Sequence, residues 1–264
     1  MDIQLNNRTA LVTGSTQGIG YEIARHLMKE GATVFINGRE GERVRKVVEE
    51  LSSEGTALAA PGDISSSEEV DDIIDRVQDH GPLDILINNA GIFEVKEFQE
   101  ISDDEWQEYF NTNVMGAVRL SRAFLPEMID RDWGRIIMVA SEAGVKPIPF
   151  FLHYSVSKTA MLGLARGLAE LTKGTDVTVN SLLPGPTKSE GLMEFFKGVA
   201  EQEGSSVEEV MDGYFEEEEP TSLLQRFEKP EEIATVATFL CSEEAVVING
   251  TAQRADGGLI RSIL

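Results

Sequence analysis

Cysteine is nearly absent from this chain: Cys241 is the single one in 264 residues. One thiol cannot close an internal disulfide, so the sequence suits a reducing compartment and a cytoplasmic location is expected. No apolar run approaches the roughly 18–20 residues that cross a bilayer. The segment after Met1, Asp2-Ile3-Gln4-Leu5-Asn6-Asn7, lacks the basic and apolar regions of a signal peptide. Histidine is scarce as well. His26, His80 and His153 show no metal-ligand spacing, so no metal site is expected. Positive charge is the largest deficit, with 23 Lys and Arg against 46 Asp and Glu, a net charge of −23. A field of that sign repels phosphate backbones and anionic lipid heads, which argues against nucleic-acid or membrane partners. It fits either a heavily solvated surface or adaptation to high salt, where ions screen self-repulsion within about 3 Å at 1 M.

What is present is ordinary globular material: 41% hydrophobic residues, 24 Gly and 9 Pro. Disordered, collagen-like and disulfide-scaffold classes are thereby excluded. The length suits one domain over 1–264, with a core large enough to need no staples. Short β-branched runs at 9–12, 33–36, 57–60, 85–87, 135–139 and 177–181 are mostly apolar throughout, as in parallel strands buried on both faces. Helical patterns lie between and after them at 18–30, 40–53, 67–79, 103–130 and 154–173. This alternation predicts an α/β fold, a Rossmann-type doubly wound parallel sheet of about seven strands with helices on both faces.

After Pro184 the rhythm breaks. Residues 188–225 read as helical and carry 11 acidic residues, among them the run 216–219, before a helix near 230–241 and a last strand near 250–254. The insertion reads either as a solvated hairpin or as a helical lid over a site, and its place after the sixth strand favours the lid.

The first strand runs straight into Thr13-Gly14-Ser15-Thr16-Gln17-Gly18-Ile19-Gly20, and a helical pattern follows. Glycines at that junction allow a tight turn and close approach of backbone to a pyrophosphate, which the helix N-terminus then favours. Dinucleotide binding is the expectation. The spacing Gly14, Gly18, Gly20 departs from the commoner G-x-G-x-x-G. Further on come Asn88-Asn89-Ala90-Gly91, Asn113, Ser141, Tyr154-x-x-x-Lys158 and Pro184-Gly185. In order and spacing this set, from residue 7 to about 258, resembles the short-chain dehydrogenase/reductase family, in particular its 3-oxoacyl-[acyl-carrier-protein] reductase-like branch.

The chemistry of these residues is consistent with that resemblance. Reducing a carbonyl leaves an alkoxide that needs a proton, and Tyr154 could supply it. A free phenol, with a pKa of about 10, is too weak a base for the reverse step near neutrality, and a nearby cation lowers that value. Lys158, four residues later on a helix, shares a face with Tyr154 and could also reach the cofactor's ribose. Ser141, at the end of the fifth strand, could hydrogen-bond the substrate oxygen. Taken singly, Ser141 could be a helix cap, Asn113 a kink and Tyr154 a packing residue. The resemblance implies that Asn113 holds a water relaying protons to the lysine.

Cofactor choice rests on Asn37-Gly38-Arg39 at the end of the second strand. Gly38 stands where the family's NAD-specific members usually place Asp, and the Arg39 guanidinium could clamp a 2′-phosphate. NADP(H) is therefore preferred over NAD(H), although Gln17 sits at a position that is basic in some NADP-preferring members. In the other reading Arg39 is solvated and Glu40 meets the ribose. The resemblance further places Asp63 and Ile64 at the adenine, Asn89-Ala90-Gly91 near the ribose, and Pro184-Gly185 with Thr187 at the nicotinamide carboxamide. Asp63 could equally be a helix N-cap.

For the substrate, the acidic lid disfavours anions and acidic carrier proteins, and residues 128–133 lack the basic run of carrier-dependent members. Phe150, Phe151, Leu192, Met193, Phe195 and Phe196 could line an apolar pocket or merely pack the lid down. Ser141, Phe150, His153, Tyr154 and Leu192 are the candidate substrate residues, with His153 also readable as structural. The expectation is an oxidoreductase acting on a neutral ketone or aldehyde, or on the matching secondary alcohol. The alternatives are a 3-oxoacyl-thioester reductase and a non-catalytic NADP-sensing or scaffold protein. The resemblance also implies a homo-oligomer, tetramer or dimer, paired through the helical segments 103–130 and 154–173.

Overall fold

The structure, a computed structural model, describes residues 3–263. Seven strands form one sheet in the order β3-β2-β1-β4-β5-β6-β7. They are β1 (Thr9–Val12), β2 (Thr33–Ile36), β3 (Thr56–Ala59), β4 (Ile85–Asn88), β5 (Gly134–Val139), β6 (Val177–Pro184) and β7 (Ala252–Ala255), all parallel to their neighbours. The central β4, β5 and β6 are buried at every residue and the edge strands β3 and β7 are not. That is why the inner strands read as mostly apolar runs.

Helices cover both faces. On one side α1 (Gly18–Lys29), α2 (Gly41–Leu51) and α9 (Pro230–Cys241) bury Ile23, Leu27, Val44, Leu51, Ala237 and Cys241 against the sheet. On the other, α3 (Ser67–Gln78), α5 (Gly116–Asp130) and α6 (Leu152–Leu171) bury Ile73, Val77, Leu120, Phe124, Met161 and Ala165. The strand order reverses direction between β1 and β4, and the crevice at that switch point is where ligands enter such sheets.

The segment 103–130 is not one α-helix. α4 (Asp103–Tyr109) passes through a π-helical stretch, Phe110–Met115, before α5 begins. The widened turn carries Asn113, and such turns gather at functional positions. The insertion forms two helices, α7 (Glu190–Glu203) and α8 (Val207–Glu217). Both starts are encoded locally: Ser189 accepts from Leu192 N–H, and Ser206 with Glu209 makes a reciprocal capping box. Phe196, Tyr214, Phe215 and Phe227 pack ring against ring as the insertion's own small core. Among the described residues no helix is long and apolar enough to cross a membrane.

Candidate active site

The carboxyl ends of β1, β2, β4, β5 and β6 open into a cleft of about 480 Å³. The β1–α1 loop forms one end. Gly14 and Gly18 hold φ of 61° and 59°, where a side chain would be strained. A Cβ at Gly20 would lie 2.4 Å from Asn89 Nδ2 and 2.5 Å from the Gly14 carbonyl, so only glycine lets α1 start against this turn. Asn89 Nδ2 closes the cradle by donating to the carbonyls of Thr13 and Gly14 at 2.9 and 3.1 Å. No side chain caps α1, which leaves its first N–H groups for an anion. The cradle fits a dinucleotide pyrophosphate. Gly14, Thr16, Gln17, Gly18, Ile19 and Gly20 all line the cleft. Ser15 does not: its hydroxyl donates to the Val12 carbonyl and accepts from Asn37 N–H, stitching β1 to β2 beneath the loop.

At the end of β2, Gly38 and Arg39 line the cleft beside Arg43, whose guanidinium donates to Gln17 Oε1. Sequence reasoning missed Arg43. Its signal was the four-residue spacing from Arg39, which brings both cations to the start of α2. Asp63 and Ile64 line the next stretch, and Ser66 rather than Asp63 caps α3, so the capping reading of Asp63 falls. Asn89, Ala90 and Gly91 from the end of β4, and Pro184, Gly185 and Thr187 from the end of β6, complete this half.

Ser141, Tyr154 and Lys158 come together at the inner end. Ser141 follows β5 and caps the short turn Glu142–Gly144, its Oγ accepting from Ala143 N–H at 3.1 Å. That turn rests on α6: a Cβ at Gly144 would meet the Lys158 backbone at 3.1 Å, and Thr159 Oγ1 donates to the Gly144 carbonyl. Lys158 is buried, its Nζ 5.5 Å from the centre of the Tyr154 ring and 2.9 Å from the Val139 carbonyl to which it donates. Burial pushes its ammonium down to about 8, against the pull of the Glu142 carboxylate. Burial and the Glu142 charge raise the Tyr154 phenol above its ordinary value, and a hydrogen bond with Ser141 works the other way.

Asn113 lies behind the cleft rather than in it. Its Oδ1 accepts from Ile92 N–H at 2.8 Å, and its Nδ2 donates to the Ile92 carbonyl and to Ser157 Oγ at 3.1 and 2.9 Å. The side chain braces the segment after β4. Two candidate substrate residues also lie elsewhere. His153 is buried away from the cleft with its ring 3.8 Å from that of Tyr109, because it leaves α6 about 100° round the helix from Tyr154. Phe150 is exposed, and its neighbour Phe151 takes the lining position. Leu192 does line the cleft, whereas Phe196 packs inside the insertion and Phe195 rests on Phe151.

Two buried carboxylates escaped the sequence reading. Glu142 lines the cleft and shares a 2.5 Å hydrogen bond with Ser141 Oγ, and burial raises it to about 7. A charged residue closing a buried strand was the available signal. Glu228 Oε2 accepts from Gly185 N–H and Thr187 Oγ1 at 2.9 and 3.3 Å, tying both ends of the insertion together, and burial raises it to about 8. Nothing local marked it out, since its partners lie some 40 residues away.

A seven-stranded parallel sheet with this crevice is a Rossmann-type α/β fold. The model of the short chain dehydrogenase family matches residues 8–200, and the chain belongs to that family of oxidoreductases acting on CH–OH or C=O groups. It is 50% identical over 263 residues to the uncharacterized oxidoreductase YvrD of Bacillus subtilis, covering all of both chains. It is 34% identical over 268 residues to the 3-oxoacyl-[acyl-carrier-protein] reductase FabG of Aquifex aeolicus, covering 98% of this chain and 100% of that one. Among solved structures it resembles L-sorbose reductase from Gluconobacter frateurii in complex with NADPH and L-sorbose. The TM-score is 0.94 at 31% identity, with both chains covered fully.

Proposed function

We propose that the protein is an NADP(H)-preferring reductase of neutral ketones or aldehydes, or the dehydrogenase of the matching secondary alcohols. The observation that carries this is the meeting of Ser141, Tyr154 and Lys158 at the inner end of a cleft whose other end is a glycine cradle. Gly14, Gly18, Gly20 and the N-terminus of α1 hold the pyrophosphate, Asp63 and Ile64 the adenine, and Asn89 to Gly91 the ribose. Pro184, Gly185 and Thr187 hold the nicotinamide end, and Ser15 and Asn113 support from behind. When bound, the nicotinamide supplies or accepts a hydride. Tyr154 gives its phenolic proton to the substrate oxygen, Ser141 hydrogen-bonds that oxygen, and the Lys158 ammonium stabilises the phenolate left behind. The Asn113 side chain is already engaged by Ile92 and Ser157, which argues against its holding a water that relays protons to Lys158.

Arg39 and Arg43 favour the 2′-phosphate of NADP(H), and the NADPH held by the similar L-sorbose reductase supports the same choice. The chain works as one dinucleotide-binding and catalytic unit, with α7 and α8 as its lid: Ser189, Glu190, Leu192 and Tyr214 border the cleft. Exposed Glu194, Glu201, Glu208 and Glu209 on those helices repel anionic substrates. Val156 and Leu171, exposed on α6, favour a homo-oligomer paired through that helix, which light scattering tests.

The deciding experiment follows NADPH consumption with a panel of neutral ketones and aldehydes, 3-oxoacyl thioesters, and sugars. Turnover of neutral carbonyls that Tyr154→Phe abolishes, with NADPH binding intact, is the expected result. Preference for 3-oxoacyl thioesters, the reading that the likeness to FabG favours, would show that the lid's charge does not govern selection. Silence across the panel with NADPH bound would favour a sensor or scaffold.

A further inference from the structure

Ser141 has one hydroxyl proton and two lone pairs. One lone pair accepts from Ala143 N–H at 3.1 Å, and the 2.5 Å contact with Glu142 Oε2 uses either the other lone pair or the proton. The protonation state of Glu142 decides which. An ionised Glu142 can only accept, so it takes the Ser141 proton and leaves a lone pair facing the cleft. A neutral Glu142 donates, both lone pairs are then filled, and the single Ser141 proton turns into the cleft, where the Tyr154 phenol oxygen takes it until a substrate oxygen comes between the two.

We infer that Glu142 is a positioning residue whose neutral carboxyl turns the Ser141 hydroxyl toward the substrate oxygen, and whose ionisation withdraws it. This rests on the reading of Ser141 as the group that binds that oxygen. The developing alkoxide needs a donor and gains nothing from a lone pair.

The surroundings suit such a proton. Glu142 is 8% exposed. Tyr154 and Lys158 of α6 and Tyr214 of α8 face it, together with Glu219, which pairs with Lys146, and Glu228, which stands beside Asp256. Burial, the largest influence, disfavours its anion, as do Glu219 and Glu228; the Ser141 hydroxyl, the backbone N–H groups of Glu142 and Ala143, and Lys158 favour it. The balance places its ionisation near neutrality, where a switch is usable.

The test has two arms. In cofactor-free protein labelled with ¹³C at glutamate carboxyls, NMR titration should show two resonances that ionise well above the exposed glutamates, those of Glu142 and Glu228, and the Glu142 one is missing in Glu142→Gln. In the kinetic arm, NADPH-dependent reduction of a neutral ketone by the wild type should fall about tenfold per pH unit above that midpoint. The amide N–H introduced by Glu142→Gln donates to Ser141 at every pH, so that variant should hold its activity to higher pH. Loss of the Glu142 charge acting only on Tyr154 predicts the opposite, since it eases phenol ionisation and moves the alkaline limb down. A limb that stays in place or moves down, or a Glu142 that titrates with the surface glutamates, overturns the inference. Ser141→Ala as active as wild type overturns instead the role of Ser141 beneath it.

Discussion

Lys158 Nζ donates a 2.9 Å hydrogen bond to the carbonyl of Val139, the last residue of β5. That bond joins the helix carrying Tyr154 to the strand delivering Ser141, so the three side chains are referenced to one point. It also holds an amine where burial disfavours its charge.

The first prediction is therefore a stability difference that depends on pH. Because the folded pKa of Lys158 lies near 8, below its ordinary 10.5, the unfolded chain binds more protons between those values. Stability rises with pH wherever the unfolded state binds more protons. Over that window wild type should gain roughly 3 kcal/mol on Lys158→Met. Urea titrations of the cofactor-free proteins at several pH values measure this, and parallel curves would contradict it.

Glu228 predicts the reverse slope. Its folded pKa is raised from 4.5 to about 8, so its stabilisation is full below the lower value and is lost as pH rises through the upper one. Glu228→Gln keeps an oxygen for Gly185 N–H and should flatten the fall. Denaturation midpoints from pH 5 to 9 provide the check.

Cofactor selection should depend on the two arginines at the start of α2. Arg39→Ala or Arg43→Ala should weaken NADPH binding by about ten- to a hundredfold, the loss of one charge-assisted hydrogen bond worth roughly 1.5–3 kcal/mol. NADH binding should hardly change. Calorimetric titration of both nucleotides separates the outcomes, and equal losses would remove the 2′-phosphate from the explanation.

Asn113 should matter through architecture. Asn113→Ala strands the Ile92 N–H and carbonyl that it now satisfies, at a cost of about 2 kcal/mol or more. Thermal melts measure the loss. Unchanged stability would mean that the segment after β4 finds other partners.

Strand–helix order, the glycine cradle, and the shared face of Tyr154 and Lys158 were legible in the sequence because each depends on local periodicity or spacing. The parallel sheet followed from the same alternation. His153 and Phe150 were misplaced because a neighbour in sequence is not a neighbour in space. On a helix, successive side chains leave about 100° apart, so His153 turns into the core while Tyr154 faces the cleft. Glu142 and Glu228 became meaningful only with distant partners: the α6 and lid groups around one, and the loop after β6 for the other. Sequence alone determined the strand–helix order and the short motifs, though not the π-helical stretch that divides 103–130. Tertiary structure decided which carboxylates are buried, and so where they titrate, because desolvation depends on packing from several elements at once.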